Sequence, residues 1–354
     1  MKSDFYRFKV LRVSLLFAGV LTTAAGLAHE GSHHSYEVSN EWQELADGRE
    51  VIGKAHGEID VAADGKFYVS IMGDDTVKGG IRIYSAAGQY LGDVPNGPDD
   101  FHGFVIHRAK DGQEYLYGAS LVQQRLIKMT LDGKVVLSVD ARHAVPSQFH
   151  SSGVLPDNQP RPELRLTAVA IDSDDNIYTV DGYGKDFIHK FDAEGNYLST
   201  FGGREVPYNF HNCHKIHIDP RFEPNRLMCT DRKKGRLIHM QLDGTLIGVY
   251  ADELRRPSSV AFYNDIAAIA EISGRVSLLD KAGNTVKTLG TNDVDDEINT
   301  NNTSPEKWRE GVFTAPHGIT FDANGNLFIT EWNLWGRIVR YDLRLPATSL
   351  SAAH

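Results

Sequence analysis

Three observations predict an all-β fold, a six-bladed β-propeller built from four-stranded blades. One unit, residues 166–203, contains four strand-like segments and leaves no room for a helix. Five relatives of that unit recur along the chain. Their inner segments start 46, 65, 47, 44 and 59 residues apart, counted from His56 through His102, Thr167, His214 and Ser258 to His317, a period typical of propeller blades with two longer insertions. A four-stranded sheet buries one face poorly alone, so radial stacking is what makes such a repeat stable.

Within the unit the apolar run Leu166 to Ile171 is the innermost strand, and Asp172 to Asn176 turns the chain. Ile177 to Val180 is β-branched and aromatic, as a second strand should be, and it ends in a glycine-rich corner, Asp181-Gly182-Tyr183-Gly184. Phe187 to Phe191 and Tyr197 to Phe201 complete the sheet around the turn Glu194-Gly195-Asn196.

Ahead of the repeats, residues 1–28 carry Lys2, Arg7, Lys9 and Arg12, then an uncharged apolar run from Val13 to Leu27. This reads as a secretory signal peptide cut near Ala28, the run falling short of the roughly 20 residues a spanning helix needs. The mature protein is expected in the periplasm or outside the cell, with no membrane span. Cleavage takes the formal charge from −10 to −13, removing four basic residues and Asp4. So acidic a chain, without a basic stripe interleaved with aromatics, excludes nucleic acid as a partner.

Residues 29–50 form a polar N-terminal segment, residues 51–345 the propeller and residues 346–354 a tail. The length suits six blades with a core apiece, and the chain reads as a monomer. The run His29-Glu30-Gly31-Ser32-His33-His34 is either a copper or zinc site or a disordered tail. Cys213 and Cys229 are the only cysteines. In an exported chain they are expected to pair, since Cys213 opens the inner strand of blade four and Cys229 closes its antiparallel neighbour; two buried thiols are the alternative.

Inner strands line the axial channel, so residues that open them point at one shared mouth. Four of those six positions are histidine, His56, His102, His214 and His317, out of 15 in the chain. Three converging imidazoles would bind zinc with an open fourth position. A histidine opening a strand can equally be a hydrogen-bonding joint between blades. A second ring comes from the corners after each second strand, which hold Asp181 and Tyr183, Asp231 and Arg232, Glu271, and Glu331 with Trp332. Asp181 and Asp231 are expected to brace their turns. Tyr183 and Arg232 have a base and a carboxylate-binding group to offer, and Glu331 and Trp332 are expected at the substrate.

The units resemble NHL repeats. The segments VDGYGKDFIHKF, TDRKKGRLIHM and APHGITFDANGNLFITEW are similar to the peptidyl-α-hydroxyglycine α-amidating lyase family, over most of residues 51–345. That resemblance implies a zinc held by His102, His214 and His317, with His56 as an additional ligand. It also implies Tyr183 as the base and Arg232 as a substrate contact, in a channel where a small molecule or peptide is cleaved to a peptide amide and glyoxylate. The chain departs from the family at three places. Met72 replaces a first-blade arginine, Gly318 replaces the aspartate associated with a structural calcium, and Ala315 replaces a methionine. The contrasting expectation is a non-catalytic propeller that binds a protein or peptide. Calcium-dependent hydrolysis would need an oxygen-rich channel rather than this imidazole-rich one.

Residues 291–312 form an acidic, asparagine-rich insertion that is either a gate or a solvated loop, and residues 140–164 join blades two and three. A strand from residues 41–54 is expected to complete the last blade.

Overall fold

The computed structural model describes residues 35–39, 42–43, 51–73 and 77–344. The expected leader, the His29–His34 run, most of the expected closing segment (41 and 44–50), residues 74–76 and the tail lie outside them. Among the described residues the chain forms six four-stranded antiparallel sheets, each one blade of a β-propeller. The innermost strands are Ile59–Val61, Phe101–Arg108, Ala168–Ile171, Cys213–Asp219, Pro257–Tyr263 and Pro316–Phe321. Each packs beside the next, and the sixth returns to the first.

Local chemistry writes the hairpins. Asp172 Oδ1 accepts the N–H groups of Asp174 and Asn176, each at 2.9 Å, while its Oδ2 accepts Asn176 Nδ2 at 2.9 Å. The same pattern recurs at Asp192–Asn196, Asp280–Asn284 and Asp322–Asn326. An aspartate that bonds the backbone two and four residues on preorganises a tight turn.

The cores lie between blades, not one within each as the sequence reading had it. The two-residue period of a strand is the reason. Val169, Ile171 and Ile177 of blade three face Tyr115, Tyr117 and Leu126 of blade two. Their neighbours Ala168, Ala170, Tyr178 and Val180 face Ile216, Leu227 and Cys229 of blade four. Each blade thus feeds two cores. The linker between blades two and three adds Ala141, Val145 and Leu164 to one of them.

Closure also differs from expectation. The outermost strand of blade six is Ser35–Ser39, antiparallel to Arg337–Arg344, with Ser35 opposite Arg344 and Ser39 opposite Arg340. The propeller therefore begins inside the segment expected to precede it. Of residues 41–54, Trp42 is a buried wedge, its ring 4.9 Å from both Phe67 of blade one and Phe328 of blade six. Its Nε1 donates to Ala86 O at 3.0 Å. An indole with one satisfied donor fills a joint better than a strand would.

Cys213 and Cys229 are joined, with Cα atoms 5.7 Å apart and a sequence separation of 16. A cross-link over a loop of that length restrains the unfolded chain by about 3 kcal/mol. The double variant Cys213→Ala/Cys229→Ala should lose about that much in a denaturant titration under non-reducing conditions. An unchanged midpoint would show that the bond does not form in solution.

Candidate functional site

The strand-opening histidines meet on the axis. His102, His214 and His317 are wholly buried and His56 half-buried. The ring of His102 lies 4.8 Å from that of His56 and 4.9 Å from those of His214 and His317, and His317 lies 5.0 Å from His56 and His214. Each buried imidazole uses Nδ1 on the next blade. His102 Nδ1 donates to Thr167 O at 2.7 Å, His214 Nδ1 to Ser258 O at 2.9 Å and His317 Nδ1 to Gly57 O at 3.0 Å. The two readings of these residues are therefore compatible. One nitrogen joins blades, and fixing its proton there leaves the Nε2 lone pair aimed at the centre.

Donors are scarce at that centre. Tyr183 Oη lies 3.0 Å from His102 Nε2, 3.1 Å from His214 Nε2 and 3.5 Å from His56 Nε2, and it has one proton to share. Arg232 Nη2 donates to His214 Nε2. His317 Nε2 is buried without a hydrogen-bond partner, as is Arg232 Nε. Ligand nitrogens of His56, His102 and His317 lie within 4.8 Å of one another. Buried acceptors in excess of donors are what a cation would satisfy. This trio includes His56, the residue the family resemblance made additional, and leaves His214 to Arg232. Burial, followed by the charges of neighbouring histidines, Arg232 and Lys215, holds the buried three well below the usual imidazole range. Burial, with Arg232 next, lowers His56 to about 3. All four are neutral at pH 7, as metal ligation requires.

Tyr183 reaches the centre because its corner is held tightly. A Cβ on Gly182 would stand 2.4 Å from both Cys213 O and Thr167 Oγ1, so only glycine fits. Asp181 accepts the backbone N–H groups of Arg165 at 2.5 Å and Lys185 at 2.7 Å, and Asp231 accepts His211 N at 2.7 Å and Arg236 Nε at 2.8 Å. Both brace their turns, as expected.

Glu331 does the same, which corrects its expected substrate role. It is wholly buried. Its Oε1 accepts Thr314 N, Thr314 Oγ1 at 3.1 Å and Ala315 N at 3.1 Å, while Oε2 accepts Arg337 Nη1 at 3.0 Å. A carboxylate so buried and turned onto its own loop is not among the residues that line the cleft over the histidines. Glu271 is likewise bound to Arg275 at 2.8–2.9 Å. The signal was in the sequence, where an arginine follows three of the four corner acids by four to six residues, in Asp231/Arg236, Glu271/Arg275 and Glu331/Arg337.

Trp332 stands at the mouth, its ring 5.5 Å from that of His56. Above the histidines opens a cleft of about 460 Å³, lined by His56, Arg165, Tyr183, Arg204, Arg232 and Trp332 among others, and by no carboxylate among the described residues. The Arg165 guanidinium lies 5.1 Å over the Tyr183 ring, within cation–π range. Sequence reasoning missed Arg165 and Arg204. Arg165 stands two residues before Thr167, in the loop that enters an inner strand and so faces the mouth. The insertion 291–312 is tied to the corners of blades five and six through Asn299 N to Ile272 O at 3.0 Å and Leu334 N to Asn301 O at 3.1 Å.

Next along the same inner strands lies a buried ion pair. Lys215 Nζ is 2.5 Å from Glu58 Oε2, and Ser259 Oγ and Ile319 N donate to the same carboxylate at 2.9 Å each. Lys215 Nζ also approaches His317 O at 3.4 Å. A Cβ on Gly318 would stand 2.5 Å from Glu58 Oε1. A side chain at 318 would also stand 2.6 Å from Thr330 Oγ1 and 2.9 Å from Gly57 O, so these neighbours would have to move to admit it.

No protein-family model matches the chain, and no curated protein matches it in sequence. Solved structures do resemble it. A streptogramin B lyase aligns over 88% of this chain and 98% of its own, with TM-score 0.54 at 13% identity. Virginiamycin B lyase from Staphylococcus aureus aligns over 88% and 100%, with TM-score 0.54 at 11% identity. A protein of unknown function from Bacteroides thetaiotaomicron aligns over 88% and 76%, with TM-score 0.56 at 15% identity. At such identities the likeness is one of fold: this chain is a six-bladed β-propeller of four-stranded antiparallel blades, similar in architecture to propellers that include lyases.

Proposed function

We propose that the protein is an exported, zinc-binding lyase that splits the C–N bond of a peptidyl-α-hydroxyglycine, yielding peptide amide and glyoxylate. The observation that carries this reading is the centre itself, where Tyr183 Oη lies 3.0–3.5 Å from three inward-facing imidazole nitrogens under a cleft walled by arginines. The lyase names of two fold neighbours agree with it. Export is supported by the leader-like residues 1–28 and by the disulfide.

The donor set fits a metal ion. His56, His102 and His317 would hold it, with His214 fixed beside them by Arg232. Zinc, when bound, supplies Lewis acidity toward the substrate oxygens. Arg232 binds the substrate carboxylate, its buried Nε being free to donate. Arg165 stands in for the cation lost at Met72. The substrate hydroxyl proton passes to Tyr183 Oη and the new carbonyl of glyoxylate forms as the C–N bond breaks. The amide nitrogen takes the electron pair of that bond together with the proton that Tyr183 Oη already carried, so the tyrosine ends as it began. A structural calcium is not part of the proposal, since the Lys215 ammonium already pairs with the nearest carboxylate.

The test is glyoxylate release from a peptide ending in α-hydroxyglycine by the zinc-loaded mature protein. Release should vanish in His317→Ala, which removes a ligand of the proposed trio and whose fold is checked by circular dichroism. A folded, zinc-loaded sample that releases none would leave a propeller that only binds a partner. Metal analysis gives a second expectation. The wild-type protein should hold one zinc, and His56→Ala and His317→Ala should each lose it; full retention in His56→Ala would restore His214 to the ligand set.

A further inference from the structure

The cleft holds more positive charge than one carboxylate needs. Among the described residues, Arg165, Arg204, Arg232 and Lys233 all line it without an acidic one, on a chain whose formal charge is −10. The cations form two tiers. Arg232 is only 6% exposed and sits deep beside His214. Arg204 and Lys233 are exposed at the rim, with Arg165 between, half-buried above Tyr183. Arg204 is partly spent on Asp186, at 2.7 Å, and on Gly184 O at 2.5 Å. Among the described residues, Arg165, Arg232 and Lys233 have no ion-pair partner. Clustered cations without counter-charges repel one another and cost stability unless an anion joins them.

Given the reading above, on which this rests, the deep tier takes the reacting carboxylate. We infer that the rim tier takes a second one, so that the preferred substrate carries an acidic side chain within about two residues of its hydroxyglycine end. An extended peptide advances roughly 3.3–3.6 Å per residue, which brings such a side chain from the floor of the cleft to its rim. Peptides with neutral or basic residues there would be poorer substrates.

The test compares two peptides that differ only in charge, ending in Glu-hydroxyglycine and Gln-hydroxyglycine. For the wild-type protein kcat/KM should favour the glutamate peptide by on the order of tenfold at low salt, and the preference should shrink as salt rises. In Lys233→Glu, an exposed change that leaves the cores untouched, the ratio should fall to about one or invert. Glyoxylate formed equally from both peptides would overturn the inference and leave the lyase reading standing. If neither peptide yields glyoxylate, that reading fails. Calorimetric binding of the unreactive Glu-Gly and Gln-Gly peptides then decides: tighter binding of Glu-Gly, lost in Lys233→Glu, supports an acidic ligand, and equal binding overturns it.

Discussion

Tyr183→Phe is expected to lower kcat for glyoxylate release by about 10²–10⁴-fold, the range a positioned acid–base group contributes. The loss should fall on kcat with KM nearly unchanged, because the hydroxyl is used in the reaction and the cations that bind substrate remain. Phenylalanine keeps the ring that packs 5.0 Å from His102 and lies under Arg165. Zinc content should also be retained, since Tyr183 is outside the proposed ligand trio. That separates a chemical role from a scaffolding one. A variant that turns over normally would remove Tyr183 from the mechanism, and one that loses zinc would make it part of the metal site.

The second large effect concerns stability. Glu58→Gln leaves the Lys215 ammonium buried opposite a neutral amide, and breaking a buried pair on one side costs about 3–5 kcal/mol. The loss should spread through the ring, because this carboxylate of blade one also accepts from Ser259 of blade five and Ile319 of blade six. Thermal unfolding should show a lower midpoint for the whole propeller. The double variant Glu58→Gln/Lys215→Met removes both charges and should recover much of the loss, since an apolar replacement of similar volume avoids the desolvation of the pair. If Glu58→Gln alone melts like the wild type, the pair carries no net stability.

The repeat was legible because each blade writes its own turns and strands. The Asp172–Asn176 turn, the strand Ile177–Val180 and the Tyr183 corner all follow from neighbours in sequence. The four histidines were legible for the same reason, since one repeat position maps to one place on the axis. Contacts between distant residues were not. Nothing local announces that Glu58 meets Lys215, 157 residues on. Glu331 was misplaced because a carboxylate facing a mouth and one facing its own loop stand at the same strand end. Only the partners Thr314 and Arg337 distinguish them. Ser35–Ser39 was overlooked as a strand because five residues with alternating burial carry too weak a signal without knowledge of the edge they cover.

That strand has a consequence for how the molecule comes together. Glu37 and Arg344, bonded across the seam, are 307 residues apart, so the seam strand is made before the other described strands of the propeller and must wait for its partner, the last of them. Until then the seam strand has no partner, and its open edges are a template for the wrong chain. Closing a loop of that length costs about 5 kcal/mol in chain entropy, which the seam must repay when the two ends of the propeller finally meet. The seam therefore acts as a clasp, and it is where a protease would find the ring easiest to open.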